Sequence, residues 1–323
     1  MLLVTGATGL LGSCVVRELL VRGEKVRAYV RGQTNRPELT GLDVEVFGGD
    51  LDDRQALARA ADGCQAVIHS AAMVHIGYTR LAEARRANVE GSENVAAVCR
   101  QQGSRLVYVS TVDTLPAAYS SLQPIDEQSA GVAKTICTYV VSKKEAEARV
   151  VAACADGLDG VIVHPGLMLG PYDWKPSSGA MMLAVHKSPA VVAPRGTASV
   201  CDARDVAAAI ANSVAAGRSG EHYILAGTNI SYVELFEQML HAMQRSKRVY
   251  RMGPVIPAAA RIVDAWNRLS GAREGLFNGA VLSMGHLHHA YDSSKAEREL
   301  SYHCRPLEET LSDAWAWLQS HFR

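Results

Sequence analysis

The chain has no surplus of either charge: 33 lysines and arginines stand against 33 aspartates and glutamates. Such a balance sets up no long-range field toward nucleic acid or an anionic membrane surface. No apolar run approaches the roughly 20 residues that span a bilayer, so neither nucleic acid nor membrane is expected as a partner. The seven cysteines, Cys14, Cys64, Cys99, Cys137, Cys154, Cys201 and Cys304, are scattered, odd in number and without a CxxC pair. That spacing argues against a disulfide framework and against a cysteine metal site, and fits a reducing, cytoplasmic setting. No repeat or low-complexity linker is present. The opening Met1-Leu2-Leu3-Val4-Thr5-Gly6 reads as a strand, and no signal peptide is expected before it. What remains is the composition of an ordinary globular protein, 48% hydrophobic and 20% charged.

Short runs rich in β-branched residues occupy 2–5, 26–30, 44–47, 66–69, 106–109 and 161–164. Between them, residues 10–22, 54–61, 81–102 and 142–155 carry helical spacing. Strands alternating with helices of this length predict βαβ units and a doubly wound parallel sheet, an α/β fold. Gly23, Gly63 and Gly103 stand where helices would close on a left-handed residue. From about Gly166 the alternation breaks. Residues 205–216 predict one more helix and 221–225 one more strand. Residues 306–322 predict an amphipathic helix carrying Trp315 and Trp317. The expected division is a nucleotide-binding domain over 1–165, to which 199–228 returns, and a smaller, irregular substrate-binding part over 166–323.

The step from first strand to first helix is Thr5-Gly6-Ala7-Thr8-Gly9-Leu10-Leu11-Gly12. Glycines allow a tight turn and close approach to a pyrophosphate, while the helix N-terminus offers free N–H groups and partial positive charge. With a strand before and a helix after, this is a dinucleotide-binding loop of Rossmann type, and Gly6, Thr8, Gly9, Leu10 and Leu11 are its candidate contacts. The second strand ends Val30-Arg31, where an NAD-selective site would place a carboxylate for the ribose hydroxyls. A guanidinium there suits the extra phosphate of NADP, so NADP(H) is favoured over NAD. Asp50 and Leu51, after the third strand, are placed to meet the adenine amine and ring.

Tyr139 and Lys143 are four apart on a predicted helix and share a face. A phenol is a poor acid–base catalyst near neutrality, and an adjacent ammonium would lower its pKa. Ser110-Thr111 follows the fifth strand, at the carboxyl edge where ligands bind in such sheets. A hydroxyl there can hold the oxygen that Tyr139 protonates or deprotonates.

At these residues the chain resembles the extended short-chain dehydrogenase/reductase family. The likeness also takes in Gly49-Asp50-Leu51, His69-Ser70-Ala71-Ala72, Asn88-Val89-Glu90-Gly91, Pro165-Gly166 with Gly170-Pro171, Arg204-Asp205-Val206 and the ending Arg305-Pro306-Leu307-Glu308-Glu309. The resemblance implies Tyr139 as general acid/base, with Lys143 holding the nicotinamide ribose and Thr111 as the catalytic hydroxyl. It puts Ser110 beside the nicotinamide and Ser70, Ala71 and Ala72 along the diphosphate and ribose. Pro165, Gly166 and Leu167 would line the carboxamide. For Asn88 a structural hydrogen bond is as good a reading as a functional one. A homodimer through the helices 81–102 and 142–155 is also implied.

Within that family, Val112 after Thr111 departs from the Thr-Asp-Glu run of the dehydratases, and Leu167 replaces an asparagine common in sugar-nucleotide enzymes. With Arg31, these point to a carbonyl reductase resembling the dihydroflavonol reductases and 3β-hydroxysteroid dehydrogenases. A nucleotide-sugar epimerase or dehydratase using NAD remains the alternative, and a non-catalytic NADP sensor a second. Candidate walls of a small-molecule pocket are Met73, His75, Ile76, Pro116, Leu167, Tyr172, Met181 and Met182, an apolar set suited to a hydrophobic ketone. No metal is expected: His286, His288 and His289 lack ligand partners at suitable spacing and read as a surface or cleft-lip cluster. Residues 254–266 read as a packed cover helix, and the basic run 245–251 as a solvated face.

Overall fold

The computed structural model describes residues 1–32, 36–132, 134, 137–253 and 278–322. The apolar cover helix expected over 254–266 lies outside the described residues.

A seven-stranded sheet forms the body. Its strands are β1 (Leu2–Thr5), β2 (Val26–Val30), β3 (Glu45–Gly48), β4 (Ala66–His69), β5 (Arg105–Val109), β6 (Gly160–Pro165) and β10 (His222–Leu225). They lie in the order β10-β6-β5-β4-β1-β2-β3 and pair in parallel throughout. Parallel strands need crossovers, and the helices supply them on both faces. Strand alternation decides which face each residue serves. Leu2 and Val4 enter the core under α1 (Leu10–Val21) and α7 (Ala203–Ala216), whereas Leu3 packs under α2 (Arg54–Ala61), α4 (Gly91–Gln102) and α5 (Thr138–Ala155). Each fully buried leucine of this kind contributes about 1.5–3 kcal/mol.

The chain leaves β1 toward β3 on one side and returns to β4 on the other, so the sheet reverses between β1 and β4. The strand ends Thr5, Val30, His69, Val109 and Pro165 share one edge, the crevice where such folds take ligands.

Two readings of the helices need correction. The stretch 81–102 is not one regular helix: a short turn, α3 (Leu81–Ala84), passes into a π-helical turn at Arg85–Glu90 and only then into α4. Helix α5 begins at Thr138, ahead of the helical spacing that starts at 142 and just before Tyr139. Its first N–H groups are capped from a distance, by the carbonyls of Gly77 (to Thr138, 2.8 Å) and His75 (to Tyr139, 3.2 Å), a tertiary contact with no local signature.

Beyond β6 the chain is more regular than its sequence suggests. β7 (Leu167–Leu169), β9 (Thr197–Asp202) and β11 (Thr228–Ser231) form a three-stranded sheet, and β8 (Val191–Ala193) pairs with β12 (Val249–Arg251). Around them, α6 (Gly179–Lys187), α8 (Tyr232–Ala242) and a C-terminal helix at Leu307–His321 close a second core on Met182, Leu235, Met239, Leu311 and Leu318. The return to the main sheet starts with α7, since β9 belongs to the smaller one. No helix among the described residues is long and apolar enough to cross a membrane.

Candidate active site

The phosphate loop is built by steric exclusion. Gly6 takes φ +73°, and a Cβ there would lie 2.6 Å from the backbone nitrogen of Ala71. Gly12 packs against the backbone of Gly6 and Ala7. Gly9 differs: it is exposed and a Cβ would meet only the Gly6 carbonyl oxygen, at 3.4 Å. The protein itself leaves room there. A methyl group would instead stand at the N-terminus of α1, a helix end that suits an anion such as a pyrophosphate, so the loop fits a dinucleotide. Leu10 and Leu11 bury their side chains in the core, leaving only backbone to offer. Thr8 is half-buried beside them.

The neighbouring turn is locked onto the loop. Ser70 Oγ donates to the Thr5 carbonyl at 2.7 Å, and the Ala71 N–H reaches Thr5 Oγ1 at 3.4 Å. Ala72 is exposed next to them. At the end of β2, Arg31 is exposed and no carboxylate follows it, Gly32 being next. Asp50 is exposed, with its carbonyl held by the Tyr29 hydroxyl at 2.8 Å, and Leu51 rests on Gly91. Pro165 closes β6, Gly166 is pressed against the Ser199 carbonyl, and Leu167 opens β7.

Thr111, Tyr139 and Lys143 come together at the carboxyl ends of β5 and the start of α5. The Thr111 side chain stands beside the Tyr139 hydroxyl and favours its ionised form. Lys143 is buried and its Nζ donates to the Val109 carbonyl at 2.8 Å and the Tyr108 hydroxyl at 3.0 Å. Burial lowers the Lys143 pKa to about 8, against the opposing pull of Glu147. The Tyr139 phenol is not depressed as the spacing suggested. Burial first, and then the charge of Asp113, push it above its ordinary value. The ammonium is aimed at β5 rather than at the phenol.

Asn88 resolves as structural: Oδ1 accepts from Met73 N–H at 2.7 Å, and Nδ2 donates to the Met73 carbonyl (3.0 Å) and Ser142 Oγ (2.9 Å). Met73 is thereby pinned, and His75 and Ile76 continue toward Tyr139, where Ile76, Tyr78 and Met284 supply apolar surroundings. Pro116 is half-buried on the loop after Thr111, and its carbonyl accepts from Tyr291 at 2.9 Å. Tyr172 is spent elsewhere, with Arg17 over its ring at 4.1 Å and Trp317 at 5.0 Å. Met182 is fully buried and Met181 packs on the same second core, a consequence of α6 being a core helix.

Several groups at the site gave no usable signal in sequence. Asp113 returns on a 3₁₀ turn to place Oδ2 3.5 Å from Thr111 Oγ1, so a proton-binding group does stand by Thr111 although Val112 follows it. Lys134 Nζ lies 3.3 Å from Asp113 Oδ1, and His289 Nε2 lies 3.7 Å from it. His289 is buried, not at the surface, because its segment runs beneath the Asp113 turn. Burial works to raise the Asp113 pKa, and Lys134, His289 and the Thr111 hydroxyl together outweigh it, so Asp113 stays below the usual carboxylate range.

On the other side of the Ser110–Thr111 step, Ser110 Oγ donates to Glu147, and His164 links Glu147 (3.7 Å from Nδ1) to His222 (2.9 Å from Nε2). The three ligand groups lie within 4.8 Å of one another. They meet opposite edges of the His164 ring, however, and Nδ1 already faces the Thr111 carbonyl at 3.2 Å, which does not suit one shared ion.

His69 and His164 are fully buried and held neutral, their pKa values lowered by burial from 6.5 to about 3 and about 4. The unfolded chain binds protons at ordinary affinity, so stability falls as pH drops below 6.5 toward the folded values. Each histidine costs about 1.4 kcal/mol per pH unit in that window. The melting temperature is therefore expected to drop between pH 6.5 and 5.5; equal melting temperatures at the two values would contradict the burial of these rings.

Residues 2–226 match the NAD dependent epimerase/dehydratase family. A 4-hydroxy-2-methyl-3-oxo-4-farnesyl-3,4-dihydroquinoline-1-oxide ketoreductase of Stigmatella aurantiaca is 29% identical over 319 residues, covering 96% of this chain and 94% of the relative. A dihydroflavonol 4-reductase of Zea mays is 32% identical over 189 residues, 53% of each chain. The crystal structure of gox2253 superposes with a TM-score of 0.87 at 31% identity, covering 100% of this chain and 99% of that one.

Proposed function

The chain belongs to the NAD dependent epimerase/dehydratase family, of the extended short-chain dehydrogenase/reductase type, and from that premise we propose that it is an NADP(H)-dependent reductase of a hydrophobic ketone. The observation that carries the reading is the place of Tyr139 beside Thr111 and of Lys143 on the Val109 carbonyl, all at the carboxyl end of β5, with exposed Arg31 just after β2. The names of the relatives, a ketoreductase and a dihydroflavonol reductase among them, favour reduction over epimerisation. Apolar Ile76, Tyr78 and Met284 around Tyr139 suit an apolar substrate.

In this mechanism the bound nicotinamide supplies the hydride. Thr111 holds the substrate oxygen, and the Tyr139 hydroxyl gives it a proton. Lys143, fixed on the Val109 carbonyl, keeps a positive charge behind the pair and would hold the cofactor ribose. The Gly9 face and the N–H groups of α1 take the diphosphate.

Arg31 tests the coenzyme. In wild type, kcat/KM with NADPH is expected to exceed that with NADH. Arg31→Ala should lower the NADPH value by about tenfold to a hundredfold, the worth of one charged hydrogen bond, and NADH far less. Equal losses with both coenzymes would remove NADP selectivity from this residue.

A further inference from the structure

Asp113 bears on the proton step only through its charge and His289 not at all, yet Asp113 reaches Thr111 and His289 faces Asp113. Asp113 reaches Thr111 Oγ1 with one carboxylate oxygen, at 3.5 Å. Its other oxygen faces Lys134 on one side and His289 on the other. The Lys134 side chain is wholly closed off, at 0% exposure, whereas Asp113 keeps 18%. The open side of this group therefore presents a carboxylate and not the ammonium that neutralises it.

His289 adds a second acceptor. Its Nδ1 lies 3.2 Å from the Thr197 carbonyl, which can only accept, so Nδ1 carries the ring proton. Nε2 is left with a lone pair, buried, 3.7 Å from Asp113 Oδ1 and without a hydrogen-bond partner among the described residues. Asp113 Oδ1 already accepts from Lys134, so the acceptor that wants a donor is Nε2, and a buried polar atom left unpaired is costly.

We propose that Asp113 and His289 form an anchor for a hydrogen-bond donor of the substrate, a hydroxyl on the carbon next to the reacting carbonyl, and that this anchor turns away a carboxylate. The inference rests on the reading of the site as a carbonyl reductase. Since Thr111 touches both the reacting oxygen and Asp113, the donor must sit one carbon away from the carbonyl. A carboxylate in the same place would meet a negative group and a lone pair.

The test is reduction of three aryl ketones by the full chain, with NADPH and NADH both supplied: acetophenone, 2-hydroxyacetophenone and benzoylacetate. Wild type is expected to prefer the hydroxyketone over acetophenone by about tenfold to a hundredfold in kcat/KM, chiefly through KM. Asp113→Asn, which keeps the shape and spares Lys134 a cavity, should collapse that ratio and raise kcat/KM for benzoylacetate. A merely structural aspartate would lower all three together. His289→Leu serves as the second variant and should weaken the same preference. Equal use of acetophenone and 2-hydroxyacetophenone by wild type overturns the anchor alone. Failure to reduce any of the three overturns the reductase reading and the anchor with it.

Discussion

Tyr139→Phe is expected to cut kcat by about 10²–10⁴, the usual worth of a general acid, while a melting-temperature rise on adding NADPH persists. The substitution removes one hydroxyl from a residue whose ring already packs with Cys137, Val140 and Met284, so the apolar fit survives. What is lost is the proton and the hydroxyl that stands beside Thr111. The direction of the Tyr139 shift adds a further expectation. Burial and the Asp113 charge keep the phenol protonated, so the free enzyme stands loaded as an acid, the form that reduction of a carbonyl needs. Oxidation of the alcohol requires the opposite form and should become efficient only at higher pH. Turnover of Tyr139→Phe within a few fold of wild type would remove this residue from the mechanism.

Gly12→Ala is expected to cost about 3 kcal/mol of stability and most of the affinity for the coenzyme. The added methyl would lie 2.6 Å from the Gly6 carbonyl carbon and 3.0 Å from Ala7 Cα. Both are backbone atoms, so no rotamer change relieves the overlap. Either α1 lifts from β1 or the loop is displaced, and the pyrophosphate cradle is lost in both cases. Gly9→Ala separates the two effects. Its methyl finds only the Gly6 oxygen, at 3.4 Å, so the fold should hold while NADPH binding falls. Calorimetry of the two variants with and without NADPH reads both quantities. Wild-type melting and binding in Gly12→Ala would contradict the packing described for this loop.

The sheet was legible because its signals are local. Strand runs such as 2–5 and 66–69 are short and β-branched, and the glycine loop carries its own geometry. Tyr139 and Lys143 were legible because four residues of helix bring them to one face. Asp113 and His289 were not, because their meeting depends on a 3₁₀ turn and on a segment more than a hundred residues away in sequence. For the same reason the sequence suggests a surface or cleft-lip cluster at His289: burial there is decided by what covers the segment, not by its own composition. The region after Gly166 hid its second core because β7, β8, β9, β11 and β12 do not alternate regularly with helices. Without that alternation nothing local assigns such short runs to one sheet. Tyr172 and Met182 had the apolar character of pocket residues, and nothing local distinguishes a wall from a core.

The π-helical turn at Arg85–Glu90 acts as a phase adjustment in the helix that borders the site. A π turn accommodates one residue more than the regular helix on either side of it. Removing that residue would leave a continuous helix and rotate everything upstream by about 100° relative to α4. Asn88 could then no longer hold Met73 from both sides, nor Ser142 on the catalytic helix. The carbonyls of His75 and Gly77, which cap that helix, would be freed in turn. Pocket shape in this protein thus depends on an insertion count: here the length of a segment matters more than the identity of most of its side chains.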